Sequence, residues 1–399
     1  MVRLLPLIDS APMRPLPAAS PPRRRWPRIV RETLAVVAIT LMFTLALLEI
    51  GLRLFASQIQ VPVSRALFVN DPAARFRNLP GARIEHDTPE FQVLYTINNQ
   101  GLRAGADTGA LSPGRLRLLC VGDSFTFGWG VQEQQAFPLL LNNNKGADSR
   151  PVESLNAGVA GYGTNDEVAW LHKFGWSLQP KIVLLGFFAG NDVVDVMRRM
   201  NKAPVETPAD QAVIDAVDKA KEREHTRSGM ETWLLGNSHA YVFLNKFFGR
   251  FLASRDARKP DVFDTAYNYL RSKPPELSTG WKKTTELLSE IEWKAREHNA
   301  RLVVVVIPAA EQVEERFWSD IERPLGLTDA DLNRDLPQQE MAAWGARAGI
   351  PIIDLLPDFR AAHGQRLYYN GDPHWTPAGH ALAAQIISRQ MTALGLFSP

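Results

Sequence analysis

The sequence has a single cysteine, Cys120, among 399 residues. An intramolecular disulfide is therefore impossible, and because Cys120 lies within a short apolar run, its thiol is predicted to pack in the core. Histidine is also scarce, with eight residues. Only Asp372, His374 and His380 are close enough in the chain to suggest a metal site, and we interpret His380 instead as a residue facing its own helix. We expect no cofactor and no metal.

A strong excess of either charge is absent as well, because 45 basic and 43 acidic residues leave a net charge of +2. The charge is uneven along the chain. Residues 1–32 hold seven arginines against Asp9 and Glu32, a net of +5, so the remaining residues carry −3. A slightly acidic body does not form the basic surface of a nucleic-acid-binding protein, and we expect no nucleic-acid partner.

Only one run is apolar enough to cross a membrane, residues 33–55, and its centre from Leu34 to Leu48 has no charge. Arginines before the run and few basic residues directly after it predict a cytoplasmic N-terminus, with the bulk of the chain in the periplasm. A cleaved signal peptide is the alternative, but only a weak small-residue site lies near Ala56. We favour an uncleaved single-pass anchor in the inner membrane. Residues 1–32, rich in proline and arginine, are predicted to be a disordered tail.

Residues 56–114 are interpreted as a linker leading into the main domain. Apolar residues alternate from Phe91 to Ile97 before the turn at Asn98, which predicts an edge strand or a hairpin. No motif in this lead-in suggests chemistry.

From residue 115, apolar runs of strand length alternate with helical patterns, which predicts an α/β fold with a parallel sheet. The predicted strands are Leu116–Gly122, Val152–Leu155, Ile182–Phe188, Leu302–Ile307 and Pro351–Asp354.

A predicted helical insertion, residues 195–280, interrupts this alternation. Its charged run at 218–227 is typical of a solvated helix face. Its apolar run at 233–252 favours a helix packed on the core over a substrate lid or a membrane-facing surface.

Four polar blocks follow candidate strands, where the carboxyl ends of parallel strands meet at one edge of a sheet. They are Gly122-Asp123-Ser124, the glycine-rich turn 156–164, Ala189-Gly190-Asn191-Asp192, and the segment 369–380 with Asp372 and His374. One Gly-Asp-Ser alone is a weak signal, and four blocks in order are far more specific.

With these blocks, the sequence over residues 115–394 resembles the SGNH hydrolases, also called the GDSL family. The resemblance implies a three-layer α/β/α sandwich with a flavodoxin-like parallel sheet, and ester or acyl-transfer chemistry. Two departures stand out. Asp372 and His374 are two residues apart instead of three, as in the Asp-x-His-Trp pattern of related alginate acetylation proteins, and Ala189 replaces a usual glycine.

The family pattern and the needs of ester chemistry assign roles to five residues. Ser124 is the predicted nucleophile, and His374 is its base, because a serine hydroxyl does not attack without one. Asp372 is expected to orient the imidazole. The predicted oxyanion hole consists of the Ser124 N–H, the Gly161 N–H and the Asn191 side-chain amide.

Other acidic residues receive lesser roles. Asp123 and Asp192 are expected to be acceptors that stabilise turns. Asp354 and Asp358 are alternatives should Asp372 not reach the imidazole.

These expectations lead to a membrane-anchored serine hydrolase of ester bonds, acting on a carboxylic ester or an O-acetyl group of a small molecule or a glycan. The first alternative is an O-acetyltransferase that modifies an exported polysaccharide. The second is a non-catalytic scaffold of the cell envelope. Expected partners are the acylated substrate, the membrane through residues 33–55, and envelope proteins of polysaccharide modification.

Overall fold

The computed structural model describes residues 28–55, 63–88, 90–109, 114–200, 234, 238–244, 266–319, 327–328, 330–362 and 364–398. It divides into two compact units with the boundary between Ser57 and Gln58. The predicted tail up to residue 27, the charged run 218–227 and most of the apolar run 233–252 lie outside the described residues.

The first unit contains one long helix, α1, Arg28–Phe55. It therefore begins five residues before the predicted span. Its apolar part, Val30–Leu54, has 25 residues, and an 18-residue stretch within it has a mean hydropathy of 2.3. At about 1.5 Å per residue this length exceeds a hydrocarbon core of about 30 Å, so the helix is long and apolar enough to cross a membrane.

The second unit begins with the lead-in, which forms a short helix and two antiparallel hairpins. The elements are α2 (Val63–Leu67), β1 (Phe68–Asn70), β2 (Phe76–Asn78), β3 (Arg83–Asp87) and β4 (Gln92–Thr96). Strand β1 pairs with β2, and β3 pairs with β4, so the predicted strand forms a hairpin with the residues before it. The alternating side chains of β4 are buried with Phe127 and Tyr369 in one cluster.

Five parallel strands form the main sheet. They are β5 (Leu116–Gly122), β6 (Val152–Asn156), β7 (Ile182–Phe188), β8 (Arg301–Ile307) and β9 (Ile352–Asp354). Their order is β6-β5-β7-β8-β9. This is the flavodoxin-like order, so the predicted α/β fold is confirmed. The interior strands β5 and β7 are buried on both faces, which explains their apolar sequences. The exception is Arg117 of β5, whose buried side chain pairs with Glu153.

Ten helices of the second unit are described with their bounds. Besides α2 they are α3 (Ser124–Phe127), α4 (Phe137–Leu140), α5 (Thr164–Lys173), α6 (Asp192–Met200), α7 (Pro275–Glu297), α8 (Ala310–Val313), α9 (Leu336–Ala348), α10 (Leu356–Ala361) and α11 (Pro377–Ala393). Short 3-10 turns cover Glu133–Gln135, Leu141–Asn143 and Gly175–Leu178.

The helices lie on both faces of the sheet and make the three predicted layers. Side chains that alternate along each strand enter two separate clusters: Leu119 and Val121 pack with helices α5, α6, α7 and α9, whereas Leu118 and Cys120 pack with α4, α10 and α11. The predicted core position of Cys120 is therefore confirmed.

Candidate active site

The turn after β5 presents the Ser124 hydroxyl. Gly122 has a φ of +158°, and a Cβ added there would lie 2.2 Å from Thr126 Oγ1, so only glycine fits. The Asp123 side chain then accepts a hydrogen bond of 2.9 Å from Phe125 N and caps helix α3. Asp123 and Phe125 are buried on either side, whereas Ser124 is half-buried. The turn thus leaves the serine as the accessible side chain.

Ser124, His374 and Asp372 form one connected set. His374 Nε2 lies 2.7 Å from Ser124 Oγ. The other ring nitrogen, Nδ1, is hydrogen bonded to Asp372 Oδ1. Because a carboxylate can only accept there, the ring proton is assigned to Nδ1, and Nε2 is left as the acceptor for the serine hydroxyl.

The environment keeps Asp372 ionised. Burial raises the pKa of this carboxyl, but the hydrogen bond and charge of His374 outweigh burial, and the net pKa is lowered. The pair remains partly accessible, with 22% of the His374 side chain and 27% of the Asp372 side chain exposed. An ionised carboxylate in this position can stabilise an imidazolium that forms when the serine loses its proton.

The two-residue spacing of Asp372 and His374 has a local geometric reason. Asp372 Oδ1 also accepts from the backbone N of His374, at 3.1 Å, so one carboxylate oxygen binds both the backbone and the ring. Tyr369 N donates to His374 O at 3.0 Å and closes the loop. Thr376 then caps α11, whose first residue is Pro377.

Glu90, at the turn of the β3–β4 hairpin, holds this loop. Its Oε1 accepts from Asn370 N at 2.7 Å and from Arg366, and its Oε2 accepts from Gly371 N at 2.7 Å and Asp372 N at 3.1 Å. Hydrogen bonds to an ionised acceptor are among the stronger ones in proteins. No pattern in the sequence predicts this role, because the partners are about 280 residues apart.

Arg103, also in the lead-in, holds the loop that follows Ser124. Its guanidinium is fully buried and donates to the carbonyls of Phe127, Gly128 and Val131. Burial lowers its pKa to about 10. The rings of Tyr95 and Phe127 lie 4.9 and 4.7 Å from its central carbon. A single arginine in a loop forms no pattern in the sequence from which this role could be predicted.

The three predicted oxyanion donors lie at the carboxyl ends of β5, β6 and β7, which are neighbours in the sheet. Gly161 has a φ of +87°, which favours glycine, and its carbonyl accepts from Arg75 Nη2 at 2.8 Å. Neither the Ser124 N–H nor the Gly161 N–H donates to an acceptor in the described part of the chain. Both are therefore available to a ligand.

Asn191 is the third predicted donor and directly precedes α6. It is half-buried, and its Oδ1 is buried without a partner among the described residues. Its backbone carbonyl accepts from Asp195 N at 2.8 Å, which holds the turn. Ala189 donates its N–H to Ile307 O at 3.0 Å, and its φ is not positive, so this position does not require the glycine that related sequences carry.

The other candidates have structural partners. His380 Nδ1 accepts from Phe137 N at 3.3 Å, and burial lowers its pKa to about 3, so it is a neutral residue bonded to the neighbouring segment. Asp354 accepts from Leu356 N, and Asp358 pairs with Arg389. Neither alternative carboxylate contacts His374 in the part of the chain that the structure describes.

Three buried carboxyls lie beneath the site: Asp123, Glu167 and Asp192. Burial raises the pKa of Asp123 to about 7, and burial together with the mutual charges raises the pKa of Glu167 and Asp192. Asp192 accepts from Phe188 N at 2.9 Å, so it stabilises its turn, as Asp123 does. Both Glu167 oxygens lack partners among the described residues. No pattern in the sequence indicates that these carboxyls interact.

Comparison with known proteins finds one family. Residues 268–398 match the model described as "SGNH hydrolase-like domain, acetyltransferase AlgX". This match confirms the resemblance to SGNH hydrolases over a range that contains Asp372 and His374 but not Ser124, Gly161 or Asn191.

One curated relative and two solved structures are also similar. The chain is 30% identical over 149 residues to the alginate biosynthesis protein AlgX of Pseudomonas aeruginosa, which covers 37% of this chain and 29% of that protein. A lipolytic protein of the G-D-S-L family from Veillonella parvula is 15% identical, covering 69% of this chain and 98% of that one with a TM-score of 0.35. A lipase/acylhydrolase from Enterococcus faecalis is 14% identical, covering 71% and 98% with a TM-score of 0.37. At TM-scores this low, the two structures support no conclusion about this chain.

Replacing Glu90 by alanine is expected to slow the labelling of Ser124 by a fluorophosphonate probe about tenfold or more. The loop that carries Asp372 would lose an acceptor whose hydrogen bonds contribute about 1.5–3 kcal/mol each, and a change of about 1.4 kcal/mol is tenfold. The measurement is the labelling rate at matched folded fraction. Glu85→Ala, an exposed change in the same hairpin, is the control. A Glu90→Ala rate close to that of the unmodified protein would contradict this role.

Replacing Glu167 by glutamine is expected to weaken the pH dependence of stability. When the pKa of a carboxyl is higher in the folded state than in the unfolded state, the protein loses stability as pH rises from the unfolded-state pKa through the folded-state pKa. The neutral amide of glutamine removes that loss. The free energy of unfolding in urea, measured at about pH 5 and about pH 8, should therefore fall less than in the unmodified protein. Glu286→Gln, on the exposed face of α7, should leave the difference unchanged. An unchanged difference in Glu167→Gln would rule out this assignment.

Proposed function

We propose that this chain is a serine-dependent hydrolase of ester bonds that forms an acyl-enzyme on Ser124. The observation that carries the proposal is the 2.7 Å hydrogen bond between Ser124 Oγ and His374 Nε2, with Asp372 on the opposite nitrogen of the same ring. A nucleophile, its base and a group that orients the base are thereby joined in one chain of contacts.

In the proposed reaction, Ser124 Oγ bonds to the acyl carbon while its proton passes to His374 Nε2. The carbonyl electron pair moves to oxygen, where the N–H groups of Ser124 and Gly161 and the Asn191 amide stabilise the charge. Collapse breaks the bond to the leaving alcohol, which takes the proton from His374. Water then attacks the acyl carbon while His374 Nε2 takes its proton. The bond to Ser124 Oγ breaks, Ser124 regains the proton from His374, and the acid is released.

The proposed substrates are carboxylic esters, with O-acetyl groups on a glycan as the favoured class. An O-acetyltransferase is the second candidate, in which a sugar hydroxyl replaces water in the final step. The specific support for transfer is the match of residues 268–398 to a family described as an acetyltransferase. A non-catalytic scaffold is the third, and the complete Ser124–His374–Asp372 set argues against it.

For the cellular setting, we propose an inner-membrane protein anchored through residues 33–55, with a cytoplasmic tail of residues 1–32. The catalytic domain, residues 115–399 with the insertion 195–280, would lie in the periplasm, preceded by the lead-in 56–114. The apolar helix Val30–Leu54 supports the anchor. Its proposed partners are envelope proteins of polysaccharide modification.

Replacing Ser124 by alanine is expected to lower the hydrolysis of p-nitrophenyl acetate by at least about 10⁴-fold, because the attacking group is removed. The measurement is the release of p-nitrophenol by the full-length chain in detergent, alongside thermal unfolding to show that the fold is kept. Ser289→Ala, exposed on α7, is the matched control. Substantial turnover by a folded Ser124→Ala protein would refute the proposal.

A reporter fused after Pro399 is expected to behave as periplasmic. The physical reason is the arginine-rich segment before α1, which favours retention on the cytoplasmic side. Paired phosphatase and fluorescent-protein fusions measure this directly. Fluorescence without phosphatase activity would reverse the proposed orientation.

A further inference from the structure

Two side chains beside His374 have ring N–H groups without an acceptor in the described part of the chain. We propose that His86 and Trp129 form a binding subsite for the hydroxyl groups of a pyranose ring, next to the reacting serine. The inference rests on the proposed function for the chemistry at Ser124 and adds where a sugar is held. Trp129 lies 6.2 Å from the His374 ring and 4.8 Å from the His86 ring, centroid to centroid.

A backbone hydrogen bond fixes Trp129 close to Ser124. Its backbone N donates to Ser124 O at 2.9 Å, so the indole follows the nucleophile turn directly. His86 comes from β3, where it lies opposite Val93 of β4, and it reaches the same place from the hairpin. Two segments that are distant in the chain therefore bring these rings to one side of the catalytic histidine.

The proton on His86 can be assigned from its neighbours. Tyr95 is fully buried, and its hydroxyl oxygen accepts from Gly130 N at 2.9 Å. The hydroxyl proton needs an acceptor of its own, and His86 Nδ1, at 3.1 Å, is the one in contact. His86 Nδ1 is therefore the accepting nitrogen, and the neutral ring carries its proton on Nε2. Burial lowers the pKa of His86 to about 4, which keeps the ring neutral near pH 7.

Both donors are open to a ligand. His86 and Trp129 are half-buried, and neither His86 Nε2 nor Trp129 Nε1 is among the enclosed polar atoms of the described residues. Neither nitrogen is hydrogen bonded to any part of the chain that the structure describes. By contrast, the indole nitrogens of Trp318 and Trp375 are enclosed.

This combination suits a sugar better than an acyl chain. A pyranose ring offers hydroxyl oxygens that accept from N–H groups, and apolar C–H faces that pack on aromatic rings. An acyl chain would leave both N–H groups desolvated and unpaired, which costs free energy. The neutral state of His86 also matters, because its role here is donation and not exchange of a proton.

The test measures sugar binding separately from catalysis. Full-length Ser124→Ala protein in detergent is titrated with methyl pyranosides of glucose, mannose, N-acetylglucosamine and glucuronate, and binding is followed by saturation-transfer NMR. At least one glycoside is expected to bind saturably. Adding Trp129→Phe, which removes the indole N–H and keeps an aromatic ring, should raise its Kd roughly fivefold to tenfold.

His86→Phe should raise the same Kd by a similar factor. Because this change also removes the acceptor of the Tyr95 hydroxyl, it is made in the same protein as Tyr95→Phe, which removes that hydroxyl. Trp293→Phe, an exposed tryptophan on α7, is the control and should leave the Kd unchanged.

The outcomes separate the subsite from the proposed function. Saturable binding that weakens in both variants but not in the control supports the subsite, whatever the esterase assay shows. If no glycoside binds, or if the variants bind as tightly as the parent, the subsite is refuted. Serine-dependent hydrolysis of p-nitrophenyl acetate would in that case still support the esterase.

Discussion

The contact between Ser124 and His374 spans 250 residues of sequence, and much of the described structure serves to hold it. Ser124 depends on the turn after β5, an interior strand that pairs with β6 and β7. His374 depends on a loop closed at one end by Tyr369 and followed by the capped helix α11. Trp375, which follows the histidine, is fully buried and lies 5.0 Å from the ring of Phe125, which follows the serine. The packing of these two neighbours therefore helps to set the distance at which the hydroxyl meets the imidazole.

The lead-in provides the remaining support. Glu90 binds the loop of Asp372, Arg103 binds the loop after Ser124, and Arg75 binds the carbonyl of Gly161. Each contact is made by a charged side chain to backbone groups, which holds a loop without requiring a particular side chain there. The lead-in therefore packs in the same compact unit as the sheet and buttresses the candidate site.

The buried carboxyls show that the site has an energetic cost. Asp123 and Asp192 hold the turns beside Ser124 and Asn191, and Glu167 lies buried near them without a partner among the described residues. Burying several carboxyls together disfavours their ionisation, which lowers stability as pH rises. The turns beside Ser124 and Asn191 are thus formed partly at the expense of stability near neutral pH.

The sequence by itself determined the α/β class, the strands and the order of the four blocks, because apolar periodicity and turn residues act over short distances. Strands Leu116–Gly122 and Ile182–Phe188 have the predicted bounds. The tertiary structure alone decided that Glu90 holds the loop of Asp372 and His374, and that His86 and Trp129 meet beside it. Such contacts join segments that are distant in the chain, by about 280 residues for Glu90 and its loop, and each single residue type is compatible with many partners. Only the path of the chain through the sheet selects which partners meet.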